Sequence, residues 1–200
     1  TTVNSSGNWS FTPQNALNDG PHTFTVRASD AAGNQGDASA PYPITVDTGL
    51  PGAPVIVSVT DDVGGTTTLI SGQTTNDNTP TLAGTTEANS VVTIRDNGTV
   101  IGTTTSDGSG NWSFTPSPGL GEGNHALTAT VTDAAGNVSP ATAPFSLLVD
   151  TLPPAVPTIV SVIDDQPGST LLTNGQLTND AQPTLSGTTE ANAIVTIRSN

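Results

Sequence analysis

The side chains in this sequence that could do chemistry are almost all carboxylates. The chain carries 17 acidic residues against 3 Lys and Arg, with 2 His and no Cys, so its net charge is −14. Calcium accepts about six to eight oxygen ligands in flexible geometry, magnesium needs a stricter octahedron, and zinc prefers His or Cys. The residue types therefore favour calcium bound by carboxylate, amide and backbone oxygens.

These residues recur along the chain at a constant offset of 103 residues. Trp9 overlays Trp112 and Asp47 overlays Asp150, no gap is needed, and more than half of the overlaid positions are identical. One structural unit is therefore repeated. Both ends of the chain fall inside a unit, so we expect a longer parent protein. The predicted domains are the C-terminal half of a repeat at 1–48, a complete repeat at 49–150, and the N-terminal half of the next repeat at 151–200.

Alternating apolar residues between turns rich in Gly and Pro predict β-strands. Leu127, Ala129 and Val131 share one face of a strand, and Trp112 and Phe114 share another. Trp112 could stack on a sugar, but its spacing from Phe114 favours a place in the core. About seven short strands in a unit of this length are typical of an immunoglobulin-like β-sandwich. The predicted strands are 54–60, 79–84, 91–95, 99–105, 111–116, 125–132 and 145–149, with a short edge piece at 67–70.

Several segments resemble a known family of repeats. NWSFTP, VTDAAGN, LLVDTLPP and TNDNTPTLAGTTEANSVVTI are similar to the bacterial Ig-like tandem repeats of giant type I-secreted adhesins and biofilm-associated surface proteins, and the resemblance covers essentially the whole chain. It implies an all-β linear array of sandwich domains, extracellular or on a Gram-negative cell surface, stiffened by structural calcium. It also implies neighbouring repeats as partners, with a host-cell, abiotic or matrix surface bound through distal domains.

The acidic residues divide between two poles if the strands alternate in direction. The N-terminal pole of the complete repeat carries Glu87, Asn89, Asp107, Asp133 and Asn137, and the C-terminal pole carries Asp61, Asp62, Asp77, Asp96 and Asp150. In a tandem array the poles of successive repeats meet, so Asp47 faces Glu87 and Asp133, and Asp150 faces Glu190. Crowded carboxylates favour a cation.

The candidate calcium ligands are Asp47, Asp61, Asp62, Asp77, Glu87, Asp133, Asp150, Asp164, Asp165, Asp180 and Glu190. The alternative is that these residues only form turns, where Asp and Asn hydrogen-bond the backbone. We prefer the turn role for Asp96 and Asp107, because the other copies carry Ser199 and Asn4 there. The linkers 47–54 and 150–157 are short and contain Pro, so we expect joints that are semi-rigid and that calcium stiffens further.

No catalytic constellation is visible, and we expect no enzyme. His22 and His125 occupy the same position of the repeat, where a turn or surface role is expected. A strongly acidic chain without Lys is a poor partner for nucleic acid, and no apolar run approaches the ~20 residues of a membrane span. We expect a structural extender of a bacterial surface adhesin that serves cell adhesion or biofilm formation. A glycan- or protein-binding module and a non-catalytic accessory region of a secreted enzyme remain alternatives.

Overall fold

The computed structural model describes residues 1–199. They form two compact units, 1–150 and 151–199, and each unit is described by itself. All regular elements among the described residues are β-strands. No helix in this part of the chain is long and apolar enough to cross a membrane. The predicted all-β class is confirmed.

The complete repeat occupies most of the first unit. Its strands follow the apolar alternation of the sequence, and the ends of the predicted strands differ from the observed ends by no more than two residues. They are β3 Val55–Asp61, β4 Thr67–Leu69, β5 Gln73–Thr75, β6 Thr81–Thr85, β7 Val91–Asp96, β8 Thr99–Thr105, β9 Asn111–Phe114, β10 Gly123–Thr132 and β11 Phe145–Val149. The two remaining strands of this unit, β1 Gly20–Phe24 and β2 Tyr42–Val46, belong to the partial repeat before it.

The nine strands of the complete repeat form two sheets. One has the order β5-β11-β10-β7-β8 and the other β4-β3-β6-β9. Pairing is antiparallel except between β5 and β11, which run parallel. Strand β5 was not predicted, because Gln73, Thr74 and Thr75 have no apolar alternation, and the strand exists through its pairing with β11.

The core lies between the two sheets. Leu82 and Val59 from one sheet meet Ile94, Leu127 and other apolar residues from the opposite sheet, and all four side chains are fully buried. Burial of each such side chain stabilises the fold by roughly 1.5–3 kcal/mol. Trp112 is 4% exposed and packs in this core, so its ring is not offered to a sugar.

A close contact between backbone and indole joins strands β3, β6 and β9. Gly84 of β6 lies opposite Trp112 of β9 and beside the carbonyl oxygen of Val55. A Cβ on residue 84 would overlap both the carbonyl oxygen and the indole ring. Only glycine therefore allows the Trp112 ring to approach the backbone of β6 this closely.

Each partial repeat contains fewer strands than the corresponding part of the complete repeat. In residues 1–48 only β1 and β2 pair, and residues 8–11, the counterpart of β9, form no strand. The second unit has β12 Thr158–Asp164, β13 Thr170–Leu171 and β14 Thr184–Thr188, in the order β13-β12-β14. Residues 194–199, the counterpart of β7, form no strand. A strand needs a hydrogen-bonded neighbour, and the neighbours of these segments are not in the same half.

Candidate joint and metal residues at the two poles

Strand β10 separates the two poles of the complete repeat. Gly123 pairs with Val149 at one end of β10 and Thr132 pairs with Val91 at the other. A ten-residue strand spans about 30 Å, so the loops at its two ends are that far apart. The predicted division of the acidic residues between two poles follows from these registers.

At the C-terminal pole, two buried carboxylates are bound by protein donors. Asp61 Oδ2 accepts from the Thr75 hydroxyl at 2.5 Å, and Asp61 Oδ1 accepts from the backbone N–H of Val63 at 2.9 Å. Asp77 Oδ1 accepts from the backbone N–H of Thr79 at 2.7 Å and from its hydroxyl at 3.1 Å. Asp77 Oδ2 accepts from the backbone N–H of Asp62 at 3.4 Å. All four oxygens are thus used to tie together the loops after β3 and β5.

The second unit builds the same network from the corresponding residues. Asp164 accepts from the Thr178 hydroxyl at 2.8 Å, and Asp180 Oδ2 accepts from the backbone N–H of Asp165 at 2.8 Å. The N–H groups of Asp165 and then Gln182 hold the pKa of the Asp180 carboxyl below its ordinary value of 3.8. Repetition of the network in a separately formed unit indicates that the loop sequence itself encodes it.

At the N-terminal pole, the segment Asp-Ala-Ala-Gly-Asn closes on itself. Asp133 accepts from the backbone N–H groups of Ala135 and Asn137, each at 2.9 Å, and from the Asn137 side-chain amide at 2.9 Å. The Asn137 amide lowers the pKa of the Asp133 carboxyl below 3.8, with a further contribution from the backbone N–H of Asn137. Asp30 and Asn34 form the same loop in the partial repeat, with their side chains 2.7 Å apart.

The linker between the partial and the complete repeat is held by this pole. The Asn137 side-chain amide also donates to the backbone carbonyl of Asp47 at 3.1 Å, although the two residues are 90 positions apart. The backbone N–H of Gly52 donates to Glu87 Oε1 at 3.4 Å. Within the linker, Gly49 N–H donates to Asp47 Oδ1 at 3.0 Å. Asn137 of the loop closed by Asp133 therefore contacts the linker at Asp47, and Glu87 contacts it at Gly52, five residues further along.

One residue of this joint was not among the predicted ligands. Asp19 Oδ1 accepts from both the backbone N–H and the hydroxyl of Thr48, at 3.0 and 2.9 Å. The reason is the register of β1 with β2, in which Gly20 lies opposite Val46 and so brings Asp19 to the start of the linker. A signal was present in the sequence, because the repeat carries Glu122 at the corresponding position.

The role expected for His125 was wrong. His125 is 8% exposed, and its Nδ1 lies 2.7 Å from Asp96 Oδ2 while its Nε2 lies 2.9 Å from the carbonyl oxygen of Gly121. Asp96 also accepts from the backbone N–H of Ala126 at 3.2 Å. The turn role preferred for Asp96 holds only in part, because its carboxylate joins the loop after β7 to β10. Asp107 does act as a turn residue, accepting from the N–H groups of Ser109 and Asn111.

The fit to a cation differs between the poles. Within residues 1–199 no three His, Asp or Glu side chains lie close enough together to form a ready-made metal site. The oxygens of Asp61 and Asp77 already accept protein donors, which a cation would have to displace. The joint offers a more suitable set, since Asp19, Asp47 and Glu87 are exposed and each uses one carboxylate oxygen in the hydrogen bonds described. Of the remaining candidates, Asp62 and Glu190 are exposed, and Asp165 accepts from the Thr184 hydroxyl at 2.6 Å.

The sandwich and its repeated polar loops define an immunoglobulin-like domain, and comparison with known proteins identifies the family. The chain belongs to the bacterial Ig-like domain family, whose model matches residues 1–48 and 53–151. Among solved structures, the chain is similar to a biofilm associated protein, BSP domain, with 23% sequence identity and a TM-score of 0.36. The match covers 76% of this chain but only 23% of that one. No curated protein matches the chain.

Proposed function

We propose that this chain is an extender segment of a bacterial cell-surface adhesin, in which semi-rigid joints hold successive Ig-like repeats in a rod outside the cell. Repeats that share more than half of their residues suit a spacer better than a receptor for one ligand. Membership of the bacterial Ig-like family supports the proposal. The observation that carries it is the linker hydrogen-bonded at both its ends to the complete repeat.

The two hydrogen bonds oppose bending of the joint. Asn137 holds the Asp47 carbonyl at the start of the linker and Glu87 holds the Gly52 N–H near its end. Each such bond contributes about 0.5–1.5 kcal/mol. Bending that breaks both would cost about 2 kcal/mol, which reduces the bent population roughly 30-fold. Pro51 and Pro54 restrict the remaining backbone freedom of the linker.

The proposal includes calcium at the joint. The ligands would come from Asp47 and Glu87, with Asp19 beside them, while Asp150 and Glu190 are the counterparts of Asp47 and Glu87 one repeat further on. Asp133 is left out, because both of its oxygens accept donors from its own loop. When bound, calcium supplies the positive charge that lets these carboxylates approach one another. We propose no metal role for Asp61, Asp77, Asp164 and Asp180, whose carboxylates serve the loop network. Asp62 and Asp165 lie beside that network and are likewise left out.

The joint is tested by measuring its flexibility. Two Cys-attached spin labels, one at Thr23 in the partial repeat and one at Thr103 in the complete repeat, report the distribution of distances across it. Asn137→Ala should broaden this distribution, because the Asp47 carbonyl loses its donor. Asn34→Ala is the matched control. It removes the same Asn–Asp hydrogen bond from the equivalent loop of the partial repeat, and Asn34 has no hydrogen bond to a linker in the part of the chain that the structure describes. Equal distributions for the two variants and the parent chain would refute the semi-rigid joint.

Calcium is tested separately by repeating the measurement with calcium and with a chelator. Calcium should narrow the distribution in the parent chain and have a smaller effect in Glu87→Gln, which keeps the size of the side chain but removes its charge. If calcium changes the distance distribution of neither chain, the metal part of the proposal is refuted. The extender part is tested separately by the Asn137→Ala measurement.

A further inference from the structure

All positively charged side chains of this sequence map to one place in the repeat. The chain has 3 Lys and Arg in total, and all of them are Arg. Arg95 and Arg198 occupy the same position of the repeat, and Arg27 occupies the position of Thr130. In the complete repeat, Arg95 Nη1 donates to the Thr130 hydroxyl at 3.1 Å, so these two positions are in direct contact. Each of the three repeats therefore places one cation at the same site.

This site lies on the outer face of the five-stranded sheet. Thr93 and Arg95 alternate along β7 with buried side chains, so both point away from the core. On β10, Thr128 lies opposite Arg95 and Thr130 lies opposite Thr93, while Thr103 of β8 lies opposite Thr93 on the other side. The half-buried guanidinium is thus surrounded by hydroxyl groups from three neighbouring strands. We call this set of five residues the Arg95 site.

The guanidinium of Arg95 has no acidic partner in the chain. Among residues 1–199 the ion pair joins His125 to Asp96, and no carboxylate lies at ion-pair distance from Arg95. Asp96 is the one carboxylate in the strands of this sheet, and it lies opposite the buried Leu127, on the inner face. In a chain with 17 acidic residues, this cation is kept apart from all of them and is available to a ligand.

The acidic poles do not mask this charge. Thr128, which faces Arg95, lies in the middle of β10, five residues from Gly123 and five residues from Asp133. At about 3.3 Å per residue, the loops at the two poles are roughly 15 Å away along the strand. The Debye length in physiological salt is about 8 Å. Repulsion between the poles and an anion at the Arg95 site is therefore largely screened, whereas direct contact with the guanidinium is not.

We propose that the Arg95 site binds the carboxylate of an acidic sugar, such as a uronate unit of a polysaccharide. A guanidinium matches a planar carboxylate with two parallel N–H donors. Threonine hydroxyls both donate and accept hydrogen bonds, so they suit the hydroxyl groups beside the carboxylate on a sugar ring. One such site in each repeat lets a tandem array bind an acidic polymer at many weak points. The site needs neither calcium nor a stiff joint, and it goes beyond the proposed function.

A second copy of this chain is a poorer source of the carboxylate. Oxygens of Asp61, Asp77 and Asp133 accept donors from the protein's own loops. Two chains that each carry a net charge of −14 also repel one another. A uronate ring brings a single charge together with hydroxyl groups, so charge and hydrogen bonding both favour an acidic glycan.

Residue-resolved NMR titration tests the site, in the presence of a chelator so that calcium cannot bridge two carboxylates. The probe is a tetrasaccharide of galacturonic acid, and its methyl ester is the uncharged control. The acid should shift the amide signals of Thr93, Arg95, Thr128 and Thr130 with a Kd on the order of 1 mM, and the ester should leave them in place. Signals that the acid does not move would overturn the proposal. Equal shifts from acetate, or from a higher concentration of protein alone, would replace the glycan with an adventitious anion only or with a second copy.

Variants separate the site from the overall charge. Arg95→Gln should weaken binding at least about tenfold, because it removes the charge-assisted hydrogen bonds. Ser113→Asp is the matched control, since it changes the net charge by the same single unit at an exposed residue of the other sheet and should leave the Kd unchanged. Equal weakening by Arg95→Gln and Ser113→Asp would refute a local site.

A rescue variant tests whether the two Arg positions are equivalent. Thr130→Arg added to Arg95→Gln moves the cation to the position that Arg27 has in the preceding repeat. The double variant should regain most of the affinity for the acidic tetrasaccharide, because the guanidinium returns to the same group of hydroxyls. A double variant that binds no better than Arg95→Gln would overturn the assignment of the three Arg residues to one site.

Discussion

Replacing Asp77 with Asn separates two roles for this buried carboxylate: a structural acceptor of hydrogen bonds, and a ligand for calcium. The carboxylate accepts three donors, at 2.7 and 3.1 Å from Thr79 and at 3.4 Å from the N–H of Asp62. An Asn side chain has only one oxygen. It either keeps both Thr79 donors without the help of a negative charge and places its NH₂ against the Asp62 N–H, or it turns over and loses both Thr79 donors.

The cost follows from these contacts. A hydrogen bond to a charged group contributes about 1.5–3 kcal/mol, and a buried donor left without an acceptor costs about 1–3 kcal/mol. The less costly orientation loses the hydrogen bond from the Asp62 N–H, and the two bonds from Thr79 no longer have a negatively charged acceptor. Asp77→Asn should therefore lower the free energy of unfolding by about 2–3 kcal/mol. Asp62→Asn removes the same charge from the neighbouring loop, but its side chain is exposed. We expect a change within about 0.5 kcal/mol for this control.

Urea unfolding followed by Trp fluorescence measures the free energy of unfolding of both variants. Trp112 is buried in the core between the two sheets, so its emission changes when they separate. The measurement is made once in calcium and once in chelator. The structural role requires the same loss for Asp77→Asn in both conditions. If Asp77→Asn matches Asp62→Asn in chelator and is destabilised only in calcium, Asp77 is a metal ligand and our interpretation of the C-terminal pole is wrong.

Three further perturbations test other parts of the structure. Gly84→Ala should destabilise the complete repeat by about 3 kcal/mol in the same urea assay, because its Cβ has no room, whereas Gly108→Ala has open space around it and should change stability by less than about 1 kcal/mol. Asn137→Ala removes the largest cause of the lowered pKa of Asp133, so NMR titration of that carboxyl should show its pKa rise toward 3.8. Because the pKa of Asp133 is lowered in the folded state, the contribution of this carboxylate to stability is present above about pH 4 and is lost as the pH falls through the folded pKa. An unchanged titration midpoint for Asp133 in Asn137→Ala would contradict this reasoning. His125→Ala should cost about 2 kcal/mol at neutral pH, because the half-buried Asp96 carboxylate keeps only the Ala126 N–H and the Gly121 carbonyl oxygen loses the imidazole, and a thermal scan that shows no loss would place His125 outside the loop network.

Much of the fold could be predicted because the repeat displays its own pattern twice. Apolar alternation located most strands of the complete repeat, since one face of each strand must be buried. Strand β5 escaped because backbone pairing alone creates it. The same reason explains the opposite case at residues 8–11, which match β9 in sequence and form no strand without their partner. Pattern therefore predicts a strand only where its neighbour is also present.

The candidate site divides in the same way. The offset of the repeats, the alternation of strand direction and the positions of the acidic residues in the chain were enough to assign carboxylates to two poles and to predict that Asp47 faces Glu87 and Asp133 across a joint. Only the tertiary structure decided what each carboxylate does. Donors that belong to other loops occupy the oxygens of Asp61 and Asp77, and the register of β1 with β2 brings Asp19 to the joint. The physical reason is that charge is a property of a residue, whereas hydrogen-bond partners and burial are set by loops that are distant in sequence.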